Sequence, residues 1–71
     1  MYIVVNSGQF GKNVQRLRKD MKLSRRNLAR TIGIPAITLY RIEKGLLRDI
    51  DYRLLRRLCG VFQVRLEDMI T

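Results

Sequence analysis

Seventy-one residues amount to about half of a typical domain, which excludes a multidomain enzyme. Hydrophobic residues make up 46% of the chain and Pro35 is the only proline, so a disordered or collagen-like tract is excluded too. Fifteen Lys+Arg against six Asp+Glu, with no histidine, give a formal charge of +9 that does not titrate near neutrality and calls for an anionic partner.

Tyr2, Ile3, Val4 and Val5 form a β-branched and aromatic run that stops at the turn formers Asn6, Ser7 and Gly8. It reads as a short strand or extended arm over residues 1–9. Four residues make no sheet alone, so the arm packs on the helices or pairs with the same arm of a second copy, and the second use is preferred. From residue 10 the period changes. Phe10, Val14, Leu17 and Met21 fall on the stripe of an amphipathic helix that leaves Lys12, Arg16 and Lys19 outside.

Ser24 is the expected N-cap of a second helix with Leu28, Ala29 and Ile32 inward, and Gly33 ends it by taking positive φ without a Cβ penalty. Ile34 anchors the turn. Pro35 suits the first turn of a third helix running to Lys44, with Leu39 and Ile42 inward and Gly45 closing it. Residues 46–50 read as a loop leading to Asp51, the N-cap of a fourth helix. Leu54, Leu55, Leu58, Cys59 and Phe62 give that helix a wide apolar stripe, weakened slightly by Gly60. Val64, Leu66, Met69 and Ile70 suit a short closing helix. The expected fold is all-α: one compact five-helix domain over residues 10–71, preceded by the arm.

The charge is unevenly placed. Residues 12–48 hold eleven basic side chains against Asp20 and Glu43, so they carry the whole +9, whereas four arginines and four acids cancel over residues 49–71. A block of one sign beside a neutral block suggests an electrostatic footprint, against the plainer reading of a solvated basic surface. Arg53, Arg56 and Arg57 fit the solvated reading. Cys59 has no second cysteine to pair with and reads as a small apolar filler. No run approaches the ~20 apolar residues of a membrane span, so no membrane role and a cytoplasmic location are expected. With no histidine, no metal-ligand cluster, no glycine-rich phosphate loop and no nucleophile elbow, neither enzyme activity nor a cofactor or metal is expected.

Residues 25–44 are the most informative stretch. They hold two helices too short to stand alone, joined at Gly33. Ala29 sits one turn earlier, where a crossing helix comes close and a large side chain would hold the pair apart. Two such helices at ~90–120° make a helix-turn-helix, whose second member projects far enough to enter a major groove.

The chain resembles the lambda-repressor and Cro-like (XRE-type) helix-turn-helix domains. The resemblance rests on Leu17 and Arg18, on Leu23, Ser24, Leu28, Ala29, Ile32, Gly33 and Ile34, on Leu39, Ile42, Glu43 and Gly45, and on Leu58, Val64, Leu66 and Met69. It implies a domain that binds operator DNA, usually as a two-fold homodimer, and regulates transcription. Positions matching the family's base readers are Ala36, Ile37 and Arg41, with Pro35 and Tyr40 beside them. Phosphate-contacting positions fall on Ser24, Arg25, Thr38, Lys44 and Arg48, and Arg18 with Glu43 matches a structural ion pair of some members.

The helical period agrees independently. With Leu39 and Ile42 inward, Ala36, Ile37, Tyr40, Arg41 and Lys44 face outward. Arg41 suits a bidentate contact to guanine, whereas Ala36 and Ile37 offer only apolar contact to a thymine methyl. Many relatives carry glutamine at the start of helix two and polar residues early in helix three. Arg25, Pro35, Ala36 and Ile37 depart from that pattern, which moves weight towards phosphate contacts and DNA shape. The proline often found after helix three and the glycine near Gln63 are missing as well. The alternative function is an antitoxin or anti-repressor module that binds a protein partner. RNA binding ranks behind both, because stacking aromatics are few.

Overall fold

In the computed structural model, which describes residues 1–70, the elements run β1 (Tyr2–Val4), α1 (Ser7–Asp20), α2 (Arg25–Ile32), α3 (Ala36–Glu43), β2 (Asp49–Asp51), α4 (Tyr52–Phe62) and α5 (Leu66–Ile70). Among the described residues the fold is mainly helical, with five helices and a short two-stranded sheet. Thr71, the last residue of the expected domain, lies outside the described residues.

The arm is used within the chain. β1 pairs antiparallel with β2, placing Tyr2 opposite Asp51, Ile3 opposite Ile50 and Val4 opposite Asp49. The ladder extends at both ends, where Val5 N–H donates to the Arg48 carbonyl and Tyr52 N–H to the Met1 carbonyl, each at 2.8 Å. This corrects two expectations: the preferred partner, a second copy, and the loop over residues 46–50, which runs into a strand at Asp49. The physical reason is alternation. Ile50 is buried between two outward carboxylates, so its strand has one core face and one wet face, and Ile3 covers it from across the ladder.

α1 begins at Ser7, three residues before the expected Phe10. The Asn6 side-chain oxygen accepts from Gln9 N–H at 3.1 Å, so the residue read as a turn former acts as an N-cap. Asparagine serves both uses by the same chemistry. The buried face of α1 also differs from the expected stripe. Phe10 and Val14 lie in the core, but Met21 is the exposed C-cap residue, and Gly11, Asn13 and Arg18 are buried instead. Asn13 Nδ2 donates to the Met69 carbonyl at 2.9 Å and so pins α5 against α1.

The remaining boundaries follow local chemistry. Ser24 Oγ accepts from Asn27 N–H at 3.0 Å and caps α2, and Gly33 ends it at φ 76°. Pro35 is the N-cap of α3, just outside the helix, and Lys44 is its C-cap rather than its last helical residue. Gly45 then turns the chain at φ 75°. Asp51 caps α4 by accepting from Arg53 N–H at 2.8 Å. Leu28, Leu39, Ile42, Leu55 and Leu58 are fully enclosed at the centre, and Ala29 is buried as a close crossing of α2 and α3 requires.

Gly11 sets the approach of α1 to α3. A Cβ there would collide with the backbone carbonyl of Ile42 and lie 2.9 Å from that of Glu43, neither of which is a flexible side-chain end. Nothing lies within 4 Å of a Cβ at Gly60. Gly11→Ala is therefore expected to cost about 3 kcal/mol by overpacking. Gly60→Ala is expected to stabilise by about 0.5–1 kcal/mol, since alanine lowers the chain entropy of a helix interior without a clash. Urea denaturation of the two variants measures both signs.

Candidate nucleic-acid interface

α3 presents two unlike sides. Leu39 and Ile42 are fully buried, Thr38 is half-buried, and Pro35, Ala36, Ile37, Tyr40, Arg41 and Lys44 are exposed. Of the five residues assigned to base reading, Ala36, Ile37, Tyr40 and Arg41 thus share the outward side of α3, and Pro35 is exposed just before it. The preceding turn is held by Ile34 N–H, which donates to the Ala29 carbonyl at 3.0 Å, and the following one by Leu46 N–H, which donates to the Arg41 carbonyl at 3.0 Å. Those bonds fix where the chain enters and leaves α3.

The pose of α3 is secured at its C-terminal turn. Glu43 is only 6% exposed and receives two arginines. Arg18 Nε donates to Oε2 at 2.7 Å and Arg18 Nη2 to Oε1 at 3.1 Å, while Arg25 Nε donates to Oε1 at 2.9 Å. Arg18 Nη1 also donates to the Leu23 carbonyl at 2.8 Å, in the turn before α2. One carboxylate thereby ties α1, α2 and α3 together, with paired donors matching its two oxygens. The group holds two positive charges against one negative, which leaves it cationic.

Arg25 has an engagement that the sequence reading did not assign. The resemblance places it on a phosphate, but its Nε is committed to Glu43 and its guanidinium lies 5.1 Å from the centre of the Tyr40 ring. Lys44 Nζ lies 5.6 Å from the same ring. Tyr40 is therefore held by two cations, which restricts it on the outer side of α3. Arg25 has a structural task beside any contact it makes with an anion.

The other assigned phosphate positions are separate from one another in the chain. Ser24 is exposed at the start of α2, and its hydroxyl, though capping, retains a proton to donate. Lys44 ends α3. Arg48 is exposed just before β2, where its own carbonyl anchors the arm. Arg26 and Arg30 are also exposed and share one side of α2, being four residues apart.

Sequence reasoning missed three positioning residues. Gly11 carried a signal, as a glycine inside a helical pattern. Asn13 did not. Arg57, read as part of a solvated face, donates from Nη1 to the Ile32 carbonyl at 3.1 Å and closes the C-terminal end of α2. Arg53 and Arg56 are exposed as expected, and Arg56 Nη1 donates to the Tyr52 hydroxyl at 3.0 Å. Cys59 is half-buried beside them, where burial pushes its thiol up from its ordinary value, so it stays neutral near pH 7. Among the described residues no group of three or more potential metal ligands occurs, and no helix is long and apolar enough to cross a membrane.

Two short helices joined at a left-handed glycine, with the second exposed on its outer side, define a helix-turn-helix domain. The helix-turn-helix family model matches residues 14–69, and the chain belongs to that family in its XRE, lambda-repressor and Cro-like type. It is similar to the Bacillus subtilis protein SinR, solved in complex with DNA (22% identity, 87% of this chain and 98% of that one, TM-score 0.81). It is also similar to the restriction-modification controller protein C.AhdI from Aeromonas hydrophila (21% identity, 86% and 91%, TM-score 0.76). A third structure, of SinR with SinI, aligns at 23% identity over 86% of this chain and 59% of that one, with a TM-score of 0.80. At these identities the likeness is one of fold. No curated protein matches the sequence.

The Glu43 arrangement makes a stability prediction. Glu43→Gln leaves the buried Arg18 without a counter-charge and is expected to cost about 3–5 kcal/mol. Arg25→Ala, at a side chain one-third exposed, is expected to cost about 1 kcal/mol. Urea melts of both variants check the ranking.

Proposed function

We propose that this chain is a transcription regulator that binds double-stranded DNA, reading the major groove with α3. One observation carries the reading: the outer side of α3 exposes Ala36, Ile37, Tyr40, Arg41 and Lys44 within the segment that holds the whole excess of positive charge. Family membership supports it, and so does the likeness to SinR, which has been solved with DNA.

Each exposed group has a matching task. The Arg41 guanidinium donates in parallel to O6 and N7 of guanine, a geometry that other base edges do not offer. Lys44, Arg48 and the Ser24 hydroxyl hold phosphate oxygens and set the register, and Thr38, half-buried, reaches the backbone only at the groove wall. Arg25 contributes through the cationic Glu43 group, with Nη donors directed at phosphate while Nε stays bound. Pro35 fixes the entry to α3 and leaves no N–H to satisfy there.

An eight-residue helix is about 12 Å long and spans only a few base pairs. Two copies one helical turn apart on DNA multiply the discrimination, so the working form is a homodimer in the cytoplasm. The second reading, a protein-binding module of the antitoxin or anti-repressor kind, is favoured by the solved complex of SinR with SinI. Under that reading the chain forms a stable heteromeric complex and its duplex affinity is weak.

Affinity measured by fluorescence anisotropy is expected to fall steeply with salt, with a slope of log K against log salt of about −0.9 per neutralised phosphate. Arg41→Ala is expected to relax base preference at one position by about 1–3 kcal/mol, whereas Lys44→Ala lowers affinity evenly for all duplexes and flattens the slope by about one. If neither variant changes duplex binding, α3 is not the reading element.

A further inference from the structure

The first turn of α3 presents hydrocarbon where a base-reading helix has most use for hydrogen-bonding groups. Pro35, Ala36 and Ile37 bear no polar side-chain atom, and Pro35 provides no side-chain cap. Ile37 is 54% exposed on the outward side. Over half of its β-branched side chain stays in water, and isoleucine is a poorer helix former than alanine, so the fold draws little from it there. Arg41 follows four residues later on the same side, one helical turn away.

Only one kind of apolar group projects into the major groove of a duplex, the C5 methyl of a pyrimidine. Every other base-edge position there is a donor, an acceptor or a small C–H, and an isoleucine set against a donor or acceptor strips its water without replacing the hydrogen bond. We propose that Ile37, assisted by Ala36, selects a C5-methylated pyrimidine lying within about two base pairs of the guanine held by Arg41. The inference rests on α3 lying in the major groove and adds the chemical group that it selects. The occupant is a methyl-bearing duplex and not an apolar peptide, because Arg41 follows Ile37 on α3, Lys44 follows at its C-cap, and the surrounding segment is strongly cationic. Thymine and 5-methylcytosine both carry this methyl.

A 20-base-pair duplex recovered by the full chain from a random pool distinguishes these possibilities. It is prepared in three forms: with thymine, with deoxyuridine at every thymine, and with a 5-methylcytosine·guanine pair at the single thymine·adenine pair whose methyl removal weakens binding. The folded chain is expected to bind the thymine form about fourfold more tightly than the deoxyuridine form for each methyl contacted. Ile37→Ala, at an exposed site that leaves the core intact, removes that difference while preserving the salt dependence. Recovery of affinity in the third form assigns the methyl to 5-methylcytosine as well, and lack of recovery assigns it to thymine alone.

Equal, salt-dependent affinity for the thymine and deoxyuridine forms overturns this inference and leaves the groove reading standing. A preference for thymine that persists in Ile37→Ala also overturns it, by tracing the effect to duplex shape. Absence of salt-dependent binding to every form overturns the groove reading along with it.

Discussion

Glu43 sits at the last turn of α3 almost cut off from water, and a carboxylate in that position is tolerable only while its oxygens are held by opposite charge. Arg18 and Arg25 meet that requirement from two different helices. The consequence is geometric as well as energetic: α1, α2 and α3 cannot shift independently without stranding a buried ion. Gly11 acts at the same corner, where the backbone of α1 meets the carbonyls of Ile42 and Glu43 with no room for a side chain. A long-range attraction and a short-range steric limit therefore fix one crossing. That crossing decides which side of α3 is buried, and so which side is left for a partner.

The chain divides its labour along its length. Residues 12–48 carry the charge excess and include the helix-turn-helix, whereas residues 49–71 are neutral and supply much of the core through Ile50, Leu55, Leu58, Phe62 and Met69. Concentrating like charges in one half costs self-repulsion, which an anionic partner relieves. Arg57 and Asn13 join the halves, the first by closing the end of α2 and the second by holding α5 to α1. Both bonds go to backbone carbonyls at helix ends, groups that would otherwise want water.

The helices themselves were legible in the residues because their signals are local. Ser24, Gly33, Gly45 and Asp51 each mark a boundary by a bond or a φ angle that depends on a few neighbours. The outward side of α3 was legible for the same reason, since Leu39 and Ile42 fix its phase. What escaped was non-local. Pairing β1 with β2 joins residues nearly fifty apart, and nothing in Tyr2, Ile3 and Val4 names Ile50 as a partner. The double engagement of Glu43 was half visible: family likeness pointed to Arg18, while Arg25 read as a free phosphate clamp because its reach back to Glu43 depends on the angle between α2 and α3. Asn6 was read as a turn because capping and turning draw on the same side-chain chemistry.

The central claim is that the outer side of α3 is the surface that meets duplex DNA. Amide chemical shifts of the isotope-labelled full chain, followed while a duplex recovered from a random pool is added, test it most directly. The account predicts the largest changes over residues 35–44 and at the start of α2 near Ser24, with Leu55, Leu58 and the rest of α4 little affected. Changes confined to α4 and α5, with Ile37, Tyr40 and Arg41 unmoved at saturation, would contradict it.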